Sequence, residues 1–171
     1  MLDPVINWTI AGGGALLFGT ACVHKLRAPA RFSVTLQNYR VVPRSLTSVV
    51  AFLVLVLEGS LAVGLLWPPY RELSCLAGAA LLLIYALSMG INLARGRQRI
   101  DCGCSLRPRP IRGAMITRNA TLAAFLLLAC LRTDERPWVW TDGLTLAAAI
   151  LVAAILYTSA DMLLETQWPR W

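Results

Sequence analysis

Histidine is almost missing from this chain: His24 is the only one in 171 residues. That excludes sites built from several imidazoles, such as bis-histidine haem or a zinc protease centre. Lysine is just as scarce, with Lys25 alone among sixteen basic residues and arginine supplying the rest. Charge of either sign is thin, at 15% of residues against about 25% in a soluble domain. No internal repeat, low-complexity segment, strand-like alternation or separate polar domain is present, which leaves a single domain. Cysteine is odd in number, at five, so at least one thiol stays outside any intramolecular disulfide. Nucleic-acid binding is excluded as the reason for the basic excess, because the arginines sit in the gaps between apolar runs.

The apolar residues, 57% of the chain, are gathered into five such runs. They are Val5 to Val23, Leu46 to Trp67, Leu73 to Ala94, about Ile111 to Leu131, and Gly143 to Leu164. About 20 helical residues cross the hydrocarbon core, and backbone groups in lipid must bond within their own segment, so all five read as helices. The fourth run crosses only if Arg118 and Asn119 lie inside its helix. The first is not a cleaved leader: it has Asp3 where a basic start is needed and lacks a small-residue cleavage site. The predicted fold is all-α: a polytopic membrane bundle of about five helices, with a four-helix core over residues 5–131 and an additional helix at 143–164.

Five spans sort the loops onto two faces. Face A collects thirteen basic residues, Lys25, Arg27, Arg31, Arg40, Arg44, Arg95, Arg97, Arg99, Arg107, Arg109, Arg112, Arg118 and Arg170. Face B holds three, Arg71, Arg132 and Arg136, together with five acids. Basic loops stay in the cytoplasm, so face A is expected inside a bacterial inner membrane and the N-terminus outside. Trp8, Trp67, Trp138 and Trp140 fall at the face B boundary, and Trp168 and Trp171 at face A, where indoles favour the headgroup level. Between the first two runs, Pro29 starts a helix whose Phe32, Leu36 and Tyr39 recur opposite Arg31 and Arg40. Residues 29–41 are expected to form an amphipathic helix on the membrane surface, packed on the bundle or not.

The stretch Asp101-Cys102-Gly103-Cys104 carries the strongest chemical signal. Cysteines two apart sit near the upper end of the disulfide range, about 4.4–6.8 Å between Cα atoms. Gly103 lets the backbone bend, and the small ring that results is of the labile, catalytic kind. Arg99 and Arg107 favour the thiolate, and Asp101 opposes that shift or handles a proton. A redox-active dithiol is the leading reading, with a membrane quinone or a protein thiol as electron partner. Half of a zinc site completed by Cys22 and His24, or two idle cysteines, remain as alternatives.

Other residues stand out by position. Cys22 and His24 end the first helix on the same face as the pair, as a further thiol and a proton shuttle, or as packing and an anchor. Glu58 lies midway along the second helix, where a lone carboxylate is costly. Either burial keeps it protonated, or it pairs with Arg118 or bonds Asn92 or Asn119, in a cluster that is functional or glue between helices. Cys75 and Cys130 share a depth near face B, where they bridge or simply pack.

His24-Lys25, Glu58, INLARGR at 91–97, DCGC at 101–104 and Arg118-Asn119 together resemble the MauE family. These are methylamine-utilisation membrane proteins related to the DoxX proteins. The resemblance covers about residues 5–131, and the fifth helix fits without a distinctive motif. It implies a helical membrane bundle and a thiol–disulfide role alongside a thioredoxin-like partner, in maturing the disulfide-rich small subunit of methylamine dehydrogenase. That role falls here on Cys102 and Cys104, with His24, Glu58, Asn92, Arg118 and Asn119 as the polar cluster. Ser105-Leu106 and a proline-rich RPRP follow the pair where the family usually has Phe-Gly. Maturing a secreted enzyme would set the pair outside, whereas the charge count sets it inside. Outside thiol chemistry, the chain reads as an accessory subunit of a larger membrane complex, or as a small quinone- or lipid-binding protein.

Overall fold

The computed structural model describes residues 2–97, 111–131, 133 and 136–166, without the side chains of 161 and 163–166. Asp101, Cys102 and Cys104 lie outside the described residues, as do Trp168 and Trp171. Among the described residues the chain is helical, with one isolated bridge between Leu2 and Thr133.

Helix α1 runs from Pro4 to Arg27. Asp3 caps it by accepting the Val5 N–H at 2.8 Å, and Pro4 occupies the first turn, where no N–H is needed. The helix runs past the end of the apolar run at Val23, so Lys25 and Arg27 are helical. It breaks at Ala28 because the next residue is Pro29, and a residue before proline is pushed out of the helical region. Pro29 opens α2, Pro29–Tyr39, which ends on Arg40 in the left-handed conformation at φ 49°.

Pro43 leads through a single 3-10 turn into α3, Thr47–Gly64. Pro68 and Pro69 form a second such turn before α4, Arg71–Ala94. Helix α4 stops in a Schellman motif: the Arg97 N–H donates to Asn92 O at 2.9 Å and the Gly96 N–H to Leu93 O at 3.0 Å. Gly96 carries the positive φ of 71° that this stop requires. The INLARGR stretch is therefore a helix terminator as well as a resemblance.

Helix α5, Gly113–Leu128, has 16 residues, and α6, Trp140–Thr166, has 27. Four segments are long and apolar enough to cross a bilayer, and α5 is shorter. Arg118 and Asn119 lie within α5, the arrangement the fourth run requires if it is to span. The amphipathic segment is a helix as expected, and it packs on α3 and α4 rather than standing off the bundle.

Helices α1, α3, α4 and α5 enclose the core, with Phe18, Leu65, Cys75, Leu82 and Leu126 buried in it. Close approach depends on small residues. A Cβ added at Gly78 would fall 2.9 Å from the Phe18 ring and 3.1 Å from Leu126. Helices α1 and α3 run antiparallel, Gly19 beside Ala62 and Cys22 beside Gly59. Helix α6 leans on α1 alone in any extent, touching it where Ile150 fills the space left by Gly12. None of the central apolar stretch of α6 is buried.

Candidate functional site

The register of α1 against α3 sets Lys25 across from Glu58, well inside the bundle. The ammonium Nζ lies 2.6 Å from Glu58 Oε1 and 2.7 Å from Oε2. The Tyr85 hydroxyl, from α4, donates to Oε1 at 2.8 Å. Glu58 is wholly buried and Lys25 is 5% exposed. A carboxylate at this depth needs a counter-charge and further hydrogen bonds to be tolerated, and it has both. The Phe32 and Tyr85 rings lie 5.0 and 5.7 Å from Nζ, within reach of cation–π attraction.

This corrects the expected partners of Glu58. Arg118, Asn92 and Asn119 do not bond it; Lys25 and Tyr85 do. The Arg118 guanidinium instead stands 5.6 Å from the Tyr157 ring of α6. The buried Asn92 amide donates to Tyr39 O and Ser88 O, both at 3.0 Å, and Arg97 donates to its oxygen at 3.4 Å. Asn92 thereby ties the end of α4 to the end of α2. Asn119 is buried in α5, and its amide nitrogen has no hydrogen-bond partner among the described residues. Glu58 and Asn92 thus have different partners, Lys25 and Tyr85 for the one and Tyr39, Ser88 and Arg97 for the other. From the sequence, Lys25 counts among the basic residues of face A and is not named as a partner of Glu58; the one available signal is that it is the only lysine.

Cys22 faces α3, its Sγ 3.7 Å from Leu55 O. His24 is half-buried, and its Nδ1 has no partner among the described residues. Neither approaches Glu58 within bonding distance, although both share its end of the bundle. Cys75 and Cys130 are free thiols rather than a bridge. Cys75 is fully buried, and Cys130 leans on Leu126 O at 3.6 Å. Among the described residues, no three of His, Cys, Asp and Glu gather in metal-binding geometry.

Above the ion pair lies a cavity of about 160 Å³ between α2, α3 and α4. Lys25 and Tyr85 are among its lining residues. Phe32 and Tyr39 of α2, Val54 of α3 and Met89 of α4 supply much of the wall. Tyr39 and Met89 also pack on Ile111 and Met115. Ile111 is 1% exposed, so the chain re-enters the bundle beside this cavity after the DCGC loop. Arg97, the last described residue before that loop, is bonded to Asn92 at the same end.

The opposite end of the molecule is fastened by polar contacts of a structural kind. Arg71 stacks on Trp8 at 3.6 Å and donates to Asn7 Oδ1 and Leu65 O, while the Asn7 amide donates to Ala129 O at 2.7 Å. Trp8 meets Trp138 edge to face, with centroids 6.2 Å apart. Arg136 bridges Asp3 and Asp142. Its guanidinium holds the Asp3 carboxyl below the usual range, helped by the Val5 N–H.

Residues 3–132 match the family model described as methylamine utilisation protein MauE. The chain is similar to the methylamine utilization protein MauE of Paracoccus denitrificans, 36% identical over 95% of this chain and 89% of that protein. It is likewise similar to that of Paracoccus versutus, 38% identical over 94% of this chain and 88% of the relative. The Methylophilus methylotrophus protein of the same name is 30% identical over 94% and 87%. No solved structure matches. With this much of its length aligned to proteins of one name, and a multi-helix membrane architecture to go with it, the chain belongs to the MauE family of methylamine utilisation proteins.

Proposed function

We propose that this protein serves methylamine utilisation as a multi-pass component of the bacterial inner membrane that exchanges disulfides with a thioredoxin-like protein. Cys102 and Cys104 are the exchanging pair. In the forward step a thiolate of the pair attacks the partner's disulfide and forms a mixed disulfide. The second thiolate then displaces the partner's sulfur. The pair loses two electrons and two protons, and the partner gains them as a dithiol. In this reading Asp101 and His24 handle those protons, and Cys22 serves as a third thiol.

The observation that carries this reading is the anchoring of the chain on both sides of the cysteine pair. Arg97 is bonded to buried Asn92, and Ile111 is sunk in the bundle. The segment that carries Cys102 and Cys104 is thus entered from and left toward residues fastened to the bundle, which supports exchange with a protein docked at this end. Setting aside Lys25, which is buried and paired, face A keeps twelve basic residues against three on face B, favouring a cytoplasmic pair.

The test uses cells that grow on methylamine. Replacing Cys102 and Cys104 together by serine should abolish maturation of methylamine dehydrogenase while leaving the membrane protein at its normal level. Full dehydrogenase activity in the double variant defeats the proposal. Impermeant maleimide applied to either side of the membrane, with and without reductant, reports the compartment and redox state of the pair.

The bare apolar face of α6 favours a second reading, an accessory subunit held in a larger complex. Co-purification at fixed stoichiometry, with both cysteines dispensable, would select it.

A further inference from the structure

We infer that the cavity between α2, α3 and α4 is a binding site for a quinone, with its ring beside Lys25 and its tail in the bilayer. The inference stands on the cavity and the buried ion pair, not on the cysteine pair, and goes beyond the thiol reading.

The chemistry around Lys25 selects the head. Lys25 has three ammonium protons. Glu58 takes two of them, and the third has only the Phe32 and Tyr85 ring faces near it among the described residues. The Lys25 ammonium in the cavity lining therefore offers a donor to an acceptor atom. The two formal charges of the pair cancel, so a carboxylate or phosphate entering the cavity would meet no net positive charge and would lose its hydration. A neutral carbonyl oxygen gains the hydrogen bond without that loss. The walls suit a flat ring: Phe32, Tyr39 and Tyr85 are among the lining residues, and aromatic faces stack on one another.

Size and opening fit as well. About 160 Å³ accommodates a substituted ring and not a long chain. Two lining residues, Val41 and Ile84, are 47% and 56% exposed, which marks an apolar mouth through which a tail reaches lipid. The roof is α2, the amphipathic helix, which rests on α3 and α4. Val50 and Val54 of α3 and Ser88 of α4 complete the wall, so a bulky residue at either helix fills the space from a different side.

The test uses the full-length protein in phosphatidylcholine nanodiscs and a photoreactive azidobenzoquinone carrying a ten-carbon tail. Saturable labelling should map to residues 32–39 and 84–89, and decylubiquinone should compete at least tenfold better than decylbenzene, which has the tail and a ring but no carbonyl. Val54→Phe should cut labelling at least tenfold. Ser88→Phe, on the other helix, should do the same and serves if the first variant does not fold, as judged by gel filtration. Replacing Lys25 by Met together with Glu58 by Leu should abolish the preference for decylubiquinone over decylbenzene while keeping the cavity. Labelling outside the cavity, labelling unchanged by both Phe variants, or equal competition by decylbenzene overturns the inference. The last outcome would mark an acyl-chain crevice only.

Discussion

Lys25 and Glu58, on helices α1 and α3 and 33 positions apart in the chain, meet through both carboxylate oxygens at 2.6 and 2.7 Å, wholly within the bundle. Removing one member strands the other as a buried charge, at a cost of about 3–5 kcal/mol. Lys25→Met should therefore lower thermal stability in detergent steeply. Lys25→Met combined with Glu58→Leu should recover most of the loss, since a buried pair is often replaceable by apolar residues. A double variant no better than the worse single one would show that the pair is not coupled as described.

Tyr85 is the third member of that group, and its hydroxyl is a single donor to Glu58 at 2.8 Å. Tyr85→Phe keeps the ring and deletes the bond. A hydrogen bond to a charged group contributes about 1.5–3 kcal/mol, and a loss of that size is expected in chemical or thermal unfolding. The Lys25→Met, Glu58→Leu background should feel Tyr85→Phe far less, because the acceptor is gone.

Packing gives an independent prediction at Gly78. An added methyl there would press on Phe18, itself 1% exposed and unable to swing away. Overpacking of this kind costs about 1–3 kcal/mol. Gly78→Ala should lower the melting temperature, and Phe18→Leu should relieve part of the effect. Gly13, where an added Cβ meets nothing within 4 Å, should accept alanine with no loss.

The Asp3–Arg136 pair predicts a pH dependence. Asp3 has its folded pKa depressed below the ordinary 3.8, first by Arg136 and then by the Val5 N–H. A depressed carboxyl contributes stability that is complete above its unfolded pKa and lost as pH falls through the lower, folded one. Asp3→Asn should therefore be less stable than the natural protein near pH 6, and the gap should close as the pH drops below 3.8. Hydrogen exchange at the first turn of α1 is the direct measurement.

Much of the fold was legible because apolar length and proline placement are local signals. Pro29 marks a helix start at a position readable from the sequence. The boundaries missed were those decided by packing: α1 runs on to Arg27 because its last turn is held against α3, and nothing in the apolar pattern says so. That extension explains why Glu58 was visible as an anomaly while its partner was not. A buried acid announces itself within an apolar run, whereas a lysine at the end of one looks ordinary. Asn92 reads from the sequence as a candidate partner of Glu58, whereas its place at the stop of α4 depends on Gly96 and on the carbonyl of Tyr39, which belongs to another helix.

Helix α5, with its 16 residues, has a consequence for the lipid itself. At 1.5 Å per residue it is about 24 Å long, roughly 6 Å short of a typical hydrocarbon core. A bundle with one short wall sets up hydrophobic mismatch along that side, and the bilayer thins locally or the headgroups dip to meet Arg112 and Arg118. The side of the molecule where the chain returns after the cysteine pair is then the side where water and phosphate come nearest to the bundle. Thinner membranes should hold this protein more comfortably than thick ones.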